Sequence, residues 1–311
     1  MNEAEETAHP LKFEDKARLV VACAVATGLF TSVGWMVIRP SDPQAAVTVL
    51  IDGRTGVAVW LPTLGLTAVV AALAAAIAGP ALRDAGTFAA AIGMAMVALR
   101  GGSMTQLLMY HGVTESNRRA LAIRLMLDAM LWFAAIMAAW LVDAIVRRWL
   151  DERVVRTAEA PASQSRCRGR VRDAFVHVRD GVFGMLTCAV VAAGVASLVI
   201  ARSPESWIEP GQVYFALCLG FFCGAGVGNY LWRKGACCWY MLSTLLVALF
   251  AYGHGYLSPR LQEPYYGELA TAPPNDLFRG LPIEYVAVGT VGVLLGCWLI
   301  QRMYPTAPTE V

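Results

Sequence analysis

The sequence predicts an all-α integral membrane protein, a polytopic bundle of about eight transmembrane helices. Of the 311 residues, 57% are hydrophobic and only 15% are charged, whereas a soluble domain carries about 25% charged residues. The apolar residues are gathered into runs that approach the roughly 20 residues needed to cross a bilayer. A net charge of +2 is too small to suggest a nucleic-acid partner. The composition excludes soluble single-domain, disordered and disulfide-scaffold proteins, so the predicted partner is the lipid bilayer.

The apolar runs follow one another along the whole chain. They cover residues 19–38, 57–78, 86–98, 121–146, 181–200, 213–232, 238–252 and 283–300. The third and seventh runs are short, and we expect them to extend to about Tyr110 and Tyr256. Residues 1–17 are polar, and this lead is long for a signal peptide. The apolar run behind it also exceeds the usual h-region, so we expect no cleavage.

Charge and composition predict the domain organisation. We expect a cytoplasmic tail (1–17), a first membrane half of four helices (18–150), a basic linker (151–180), a second half of four helices (181–302) and a second tail (303–311). With the N-terminus inside, the inner segments hold 16 of the 25 Lys and Arg residues. The positive-inside rule therefore predicts two cytoplasmic termini, in a membrane of the bacterial cytoplasmic type. The basic part of the linker, 166–179, is either a topology anchor or a site for anionic lipid.

The cysteines and the outer loops carry weaker signals. None of the eight cysteines falls in a predicted outer loop or in a CxxC motif, so we expect small packing residues and no metal or cofactor. Two β-prone runs flank Asp52-Gly53, which is a hairpin signal, although the second run also suits the start of the second span. The loop 253–282 is long enough to be a lid, a partner surface or an aromatic belt that includes Phe278.

The linker divides the eight spans into four and four, which suggests a parallel internal duplication. The first span of each half carries Cys-Ala-Val, at 23–25 and 188–190. The third span leads into a Tyr/His/Gly cluster that contains His111 in one half and His254 in the other. The fourth span opens with an acid three residues after a leucine, at Asp128 and at Glu284. Ala, Val and Leu dominate these helices, so short matches of this kind also arise by chance.

Ionisable residues inside spans are candidate functional groups, and each has a plainer interpretation beside it. Asp128 lies four residues after Arg124, so the two residues share a helix face and could form a self-contained ion pair. Glu284 follows Pro282 and could be a first-turn acid favoured by the helix dipole. Asp143 lies one turn before Arg147, where a local ion pair is the favoured interpretation.

The remaining candidates lie near the same predicted membrane face. Arg100 precedes Gly101-Gly102-Ser103, a run that either unwinds the helix beside a cavity or simply ends it. His111 and His254 are single histidines, without the spacing that places two metal ligands on one helix face. The candidate binding residues are Arg100, His111, Arg124, Asp128, His254 and Glu284. The Gly220–Gly224 motif predicts close helix packing rather than nucleotide binding.

Three classes of function fit this pattern, and the structure can discriminate between them. A transporter of a small solute or ion predicts a polar cavity between the halves, lined by the charged residues in the outer half. A structural or assembly subunit predicts that those charges are paired and that an apolar face of small residues is left for other membrane subunits. An intramembrane enzyme predicts His111 or His254 within hydrogen-bonding distance of a carboxylate, although no catalytic motif in the sequence supports this class.

Overall fold

The architecture is a bundle of α-helices, taken from a computed structural model of the chain. The structure describes residues 12–42, 45–51, 56–79, 82–111, 114–157, 170–200, 210–232, 237–258 and 273–303. Within these ranges there is no β-strand, and seven helices are long and apolar enough to cross a membrane. A shorter apolar helix covers Ala85–Ala98. The predicted fold class is confirmed, whereas the count of eight spans stays a prediction.

Ten α-helices are present in the described part of the chain. They are α1 Phe13–Leu29, α2 Trp35–Ile38, α3 Val57–Ala78, α4 Ala85–Ala98, α5 Met104–His111, α6 Glu115–Thr157, α7 Arg170–Val199, α8 Pro210–Leu231, α9 Cys237–Leu257 and α10 Pro282–Met303. A π-helical turn, Phe30–Gly34, joins α1 and α2 into one span. A 3₁₀ turn covers Asp276–Arg279, just before α10.

The last helix occupies the centre of the bundle. Helix α10 packs against α4, α6, α8 and α9, and 72% of its most apolar stretch is buried. Helices α1 and α7 lie at the periphery, each with 28% of the corresponding stretch buried. Helices α1–α6 meet helices α7–α10 where α6 contacts α9 and α10 and where α4 contacts α10.

Glycines allow helices α7, α8 and α10 to approach closely. A Cβ atom on Gly220 or Gly224 of α8 would lie 2.7 Å or 2.5 Å from a backbone oxygen of α7. A Cβ atom on Gly292 of α10 would lie 2.4 Å from the Cys218 backbone oxygen on α8. Since real Cβ atoms do not come so close to backbone, these positions require glycine. The close packing predicted from the Gly220–Gly224 motif is confirmed.

The third and seventh apolar runs were both expected to extend, and only the seventh does. The seventh run extends as expected, since α9 reaches Leu257. The third run does not continue to Tyr110, because α4 ends at Ala98 and a separate helix, α5, begins at Met104. The glycines at 101 and 102 favour this interruption, since they lack the side chains that stabilise a helix interior. At 14 residues, α4 is about 21 Å long, shorter than the hydrocarbon core of about 30 Å.

Candidate site at the 45–51 end of the bundle

A non-helical segment, residues 45–51, lies buried at one end of the bundle. Ala46, Val47 and Val49 are almost completely buried. The segment runs beside the interruption between α4 and α5, where the Gly102 N–H donates to the Ala45 carbonyl at 2.8 Å. A Cβ atom on Gly101 would lie 2.5 Å from a methyl group of Val47. Glycine at this position therefore permits the contact between the two non-helical segments.

Asp128 supplies the acceptors for this buried backbone. Its Oδ1 atom accepts hydrogen bonds from the Val49 N–H at 2.7 Å and the Leu50 N–H at 3.2 Å. Its Oδ2 atom accepts a third bond from the Trp132 indole N–H at 3.0 Å. Irregular backbone is tolerated at membrane depth only where its polar groups are satisfied. Asp128 satisfies them here from α6, where it lies about 10 Å beyond the start of the apolar run at residue 121.

The ion pair expected between Arg124 and Asp128 is wrong. Asp128 is fully buried, whereas Arg124 is exposed, and no salt bridge joins these two described residues. The spacing of four residues permitted a pair, but the backbone N–H groups of the 45–51 segment occupy the carboxylate instead. Arg124 is therefore not part of the polar network around Asp128.

Glu284 is buried at the start of the central helix. Only 4% of the residue is exposed, and its Oε2 atom accepts a hydrogen bond from the Leu281 N–H at 2.7 Å. This is the bond that a glutamate in the third helical position makes back to the residue before the helix. The expectation of a first-turn acid is confirmed. Its Oε1 atom accepts no hydrogen bond from any residue that the structure describes.

Arg100 forms no ion pair with either of the two carboxylates. Its Nη1 atom donates to the Thr31 carbonyl at 2.6 Å, and its guanidinium lies 4.6 Å from the centre of the Trp35 ring. Both contacts lie on the span formed by α1 and α2. Of the two interpretations of the 100–103 run, the helix does end there, and Arg100 fastens the interruption to this span.

The two histidines lie at exposed positions and do not meet the carboxylates. His111 ends α5, and His254 lies in the last turn of α9. The His254 Nδ1 atom is 3.2 Å from the Asn275 amide nitrogen. Asn275 also donates to the Ala251 carbonyl at 3.1 Å and accepts from the Phe278 N–H at 2.8 Å. His254 therefore adjoins the cap of the 3₁₀ turn rather than an acid.

The described part of the long loop packs inward. Phe278 is buried and meets Tyr252 edge-on, with ring centres 5.4 Å apart. The Tyr252 hydroxyl donates to the Gly280 carbonyl at 2.7 Å, and the Tyr285 hydroxyl donates to the Leu277 carbonyl. Phe278 is thus not part of an interfacial belt. The tyrosines at 265 and 266 lie outside the described residues.

A separate charged cluster closes the opposite end of α6. Asp143 is buried and is held by Arg147, with a nitrogen–oxygen distance of 3.1 Å. It also accepts from the Thr87 hydroxyl at 3.3 Å, so the predicted local pair is confirmed. In the adjoining loop, burial raises the pKa of Asp84 and the nearby Asp143 adds to this, while Arg147 and Arg83 oppose it.

The structure gathers only two of the six predicted site residues. Asp128 and Glu284 lie on α6 and α10, which pack together, and both act electrostatically on Tyr252. Arg100, His111, Arg124 and His254 lie elsewhere. Sequence reasoning missed Trp132 and Asn275 as hydrogen-bond partners. The spacing of four residues between Asp128 and Trp132 was a usable signal for the first of them.

The hairpin predicted around residues 52–53 is wrong, because its second run begins α3 at Val57. The basic residues 166–169 lie outside the described residues. No group of three or more His, Cys, Asp or Glu able to hold a metal ion occurs within the described ranges.

Comparison with known proteins finds no matching family model, curated protein or solved structure.

Proposed function

We propose that this chain is a structural or assembly subunit of a larger membrane complex. The observation that carries the proposal is that the charges within the spans, apart from Glu284, are closed by partners within the chain. Asp128 is occupied by three N–H donors, and Asp143 is paired with Arg147. Arg100 is held by a carbonyl and an aromatic ring. This arrangement is expected of a subunit whose polar groups stabilise its own fold. A substrate site needs polar groups that are free to form hydrogen bonds or ion pairs with the substrate.

A second feature supports an assembly role. The span formed by α1 and α2 exposes Ala24, Gly28 and Ser32, which recur every four residues on one face. A Cβ atom added to Gly28 would have no neighbour within 4 Å, and the Ser32 hydroxyl bonds back to the Gly28 carbonyl at 2.5 Å. Such stripes let membrane helices approach closely. The comparable stripe on α8 is covered by α7, so the stripe on α1 is available to a neighbouring helix.

The second candidate is a transporter of a small solute or ion with its site near the outer half. It is favoured by the position of Asp128 and Glu284 on helices that join the two halves. Duplicated transporters bind their substrates at such a boundary. The enzyme hypothesis loses its geometric support, because neither His111 nor His254 is hydrogen-bonded to a carboxylate among the described residues.

We also propose the parallel duplication, in which α1, α3, α4 and α6 correspond to α7, α8, α9 and α10. Its support is the packing order. In each half the first helix contacts the second and third, and the fourth contacts the second and third. Across the halves, the α6–α9 contact has its counterpart in the α10–α4 contact. One difference is that α8 and α9 barely touch, whereas α3 and α4 pack together.

The subunit proposal is tested in the native membrane. We expect the chain, extracted in mild detergent, to migrate in an assembly larger than its own 33.5 kDa plus micelle. Gly28→Leu should release it from that assembly. Gly65→Leu is the matched control, because Gly65 is also an exposed helical glycine with open space around it. A single chain in the wild-type sample would overturn the proposal. Solute-dependent proton flux by the purified chain in vesicles would establish the transporter instead.

A further inference from the structure

The carboxyl of Glu284 differs from the other buried acids of the bundle in its hydrogen bonding. Both oxygens of Asp128 accept N–H bonds, and both oxygens of Asp143 accept from Arg147. Glu284 uses only Oε2, for the Leu281 N–H. Its Oε1 atom, on a residue that is only 4% exposed, has no hydrogen-bond partner among the described residues. This carboxyl is therefore the one with capacity for another small ligand.

Glu284 forms no ion pair with a lysine, arginine or histidine that the structure describes. It acts electrostatically on tyrosines from three helices: Tyr214 on α8, Tyr252 on α9 and Tyr285 on α10. The Tyr214 hydroxyl donates to the Ala95 carbonyl of α4 at 3.0 Å, and the other two hydroxyls also donate to carbonyls. From α6, Asp128 reaches the same tyrosine, Tyr252, and adds negative charge.

A buried carboxylate without a counter-charge is costly, and the cost is relieved when the group binds a cation. The smallest such cation is the proton, and it needs no further ligands. We propose that Glu284 is an exchangeable proton-binding site. The Oε1–H bond forms when the carboxylate takes a proton from a hydronium ion, which becomes water, and it breaks when the proton returns to water. The inference does not depend on the subunit proposal, because either a subunit or a transporter can carry such a group.

The test uses the intact purified chain in lipid nanodiscs and a hydrophobic carbodiimide. This reagent adds across the O–H bond of a protonated carboxyl within the membrane, and peptide mass spectrometry locates the product. We expect modification at Glu284, with a rate that falls at least tenfold as the pH is raised through the titration of the group. Asp128 should stay unmodified, because both of its oxygens are occupied.

Variants separate proton binding from a purely structural role. Glu284→Gln keeps an acceptor for the Leu281 N–H, so the protein should fold and lose the label. Glu284→Asp should keep a pH-dependent label, if at a lower rate. In infrared difference spectra, the parent and Glu284→Asp should show the carbonyl band of a protonated acid, and Glu284→Gln should lack it. A pH-independent label, equal labelling of Asp128, or no label on a folded sample that labels when unfolded would overturn the proposal.

Discussion

Removal of the Asp128 carboxylate should expose the dependence of the 45–51 segment on a single side chain. Asp128→Ala leaves three buried donors without an acceptor: the Val49 N–H, the Leu50 N–H and the Trp132 indole N–H. Each such donor costs about 1–3 kcal/mol, so the sum is about 3–9 kcal/mol. Whole domains are stable by about 5–15 kcal/mol. We therefore expect a large loss of folded protein.

The milder substitution Asp128→Asn separates the three bonds. The amide oxygen can still accept from the two backbone N–H groups, but the amide nitrogen then faces the Trp132 indole nitrogen, and both are donors. The indole N–H and the amide N–H₂ are then both left without an acceptor, at about 1–3 kcal/mol each, which is still less than the cost of Asp128→Ala. Trp132→Phe removes the opposing donor, so the double variant should be more stable than the sum of the single effects predicts.

Thermal unfolding of the detergent-solubilised protein measures these differences, and thiol labelling locates them. Thr48→Cys places a thiol in the buried segment, and its maleimide reactivity should be low in the parent and rise when Asp128→Ala is added. Arg124→Leu should neither lower stability nor rescue Asp128→Asn, because Arg124 does not contact the carboxylate. The reasoning fails if Asp128→Asn is as damaging as Asp128→Ala, or if Arg124→Leu restores abundance.

Two further predictions concern packing and charge. Gly224→Ala should lower the unfolding temperature by several degrees, because the new Cβ atom would lie 2.5 Å from a backbone oxygen. Gly226→Ala on the same helix should be nearly neutral, because its new Cβ atom would have no neighbour within 4 Å. Equal shifts of the unfolding temperature would contradict the close α7–α8 contact. Asp84→Asn should raise stability at neutral pH, since burial raises the pKa of Asp84 and so penalises its ionised form in the folded state. That penalty is absent below the unfolded-state pKa near 3.8 and complete above the folded-state pKa, so the gain should vanish in acid. Asn also tolerates the positive φ of 59° at this position. A stability gain that persists at low pH would refute the explanation.

The fold was predictable because a membrane helix carries its signal in a single run of residues. Hydropathy alone located the seven described helices that are long and apolar enough to cross a membrane, and charge counting suggested an orientation that the helices themselves do not test. The break after α4 was foreshadowed by Gly101-Gly102, but its outcome depended on a distant segment. Val47 packs against the break, and nothing in the local sequence of α4 indicates that contact.

The candidate site was less predictable, because the partners of its charges are backbone groups. A sequence displays side chains, so Asp128 was matched with the nearest side chain of opposite charge, Arg124. Every residue except proline has a backbone N–H group, so the sequence does not mark those of Val49 and Leu50 as partners. They become partners only because residues 45–51, some 80 positions earlier in the chain, fold into the bundle. Backbone-mediated closure of this kind cannot be inferred from charge spacing.

The comparison of Asp128 with Glu284 shows how two acids at similar positions in the sequence can be told apart by their hydrogen bonds. Both acids follow a leucine by three residues, and both are buried on helices that meet at the centre. Sequence gives them equal weight, but the count of donors does not. Three N–H groups fix Asp128 as the anchor of a buried segment, whereas one N–H leaves an oxygen of Glu284 unused. If the two halves arose by duplication, the same position has been committed to structure in one half and has stayed open to a ligand in the other.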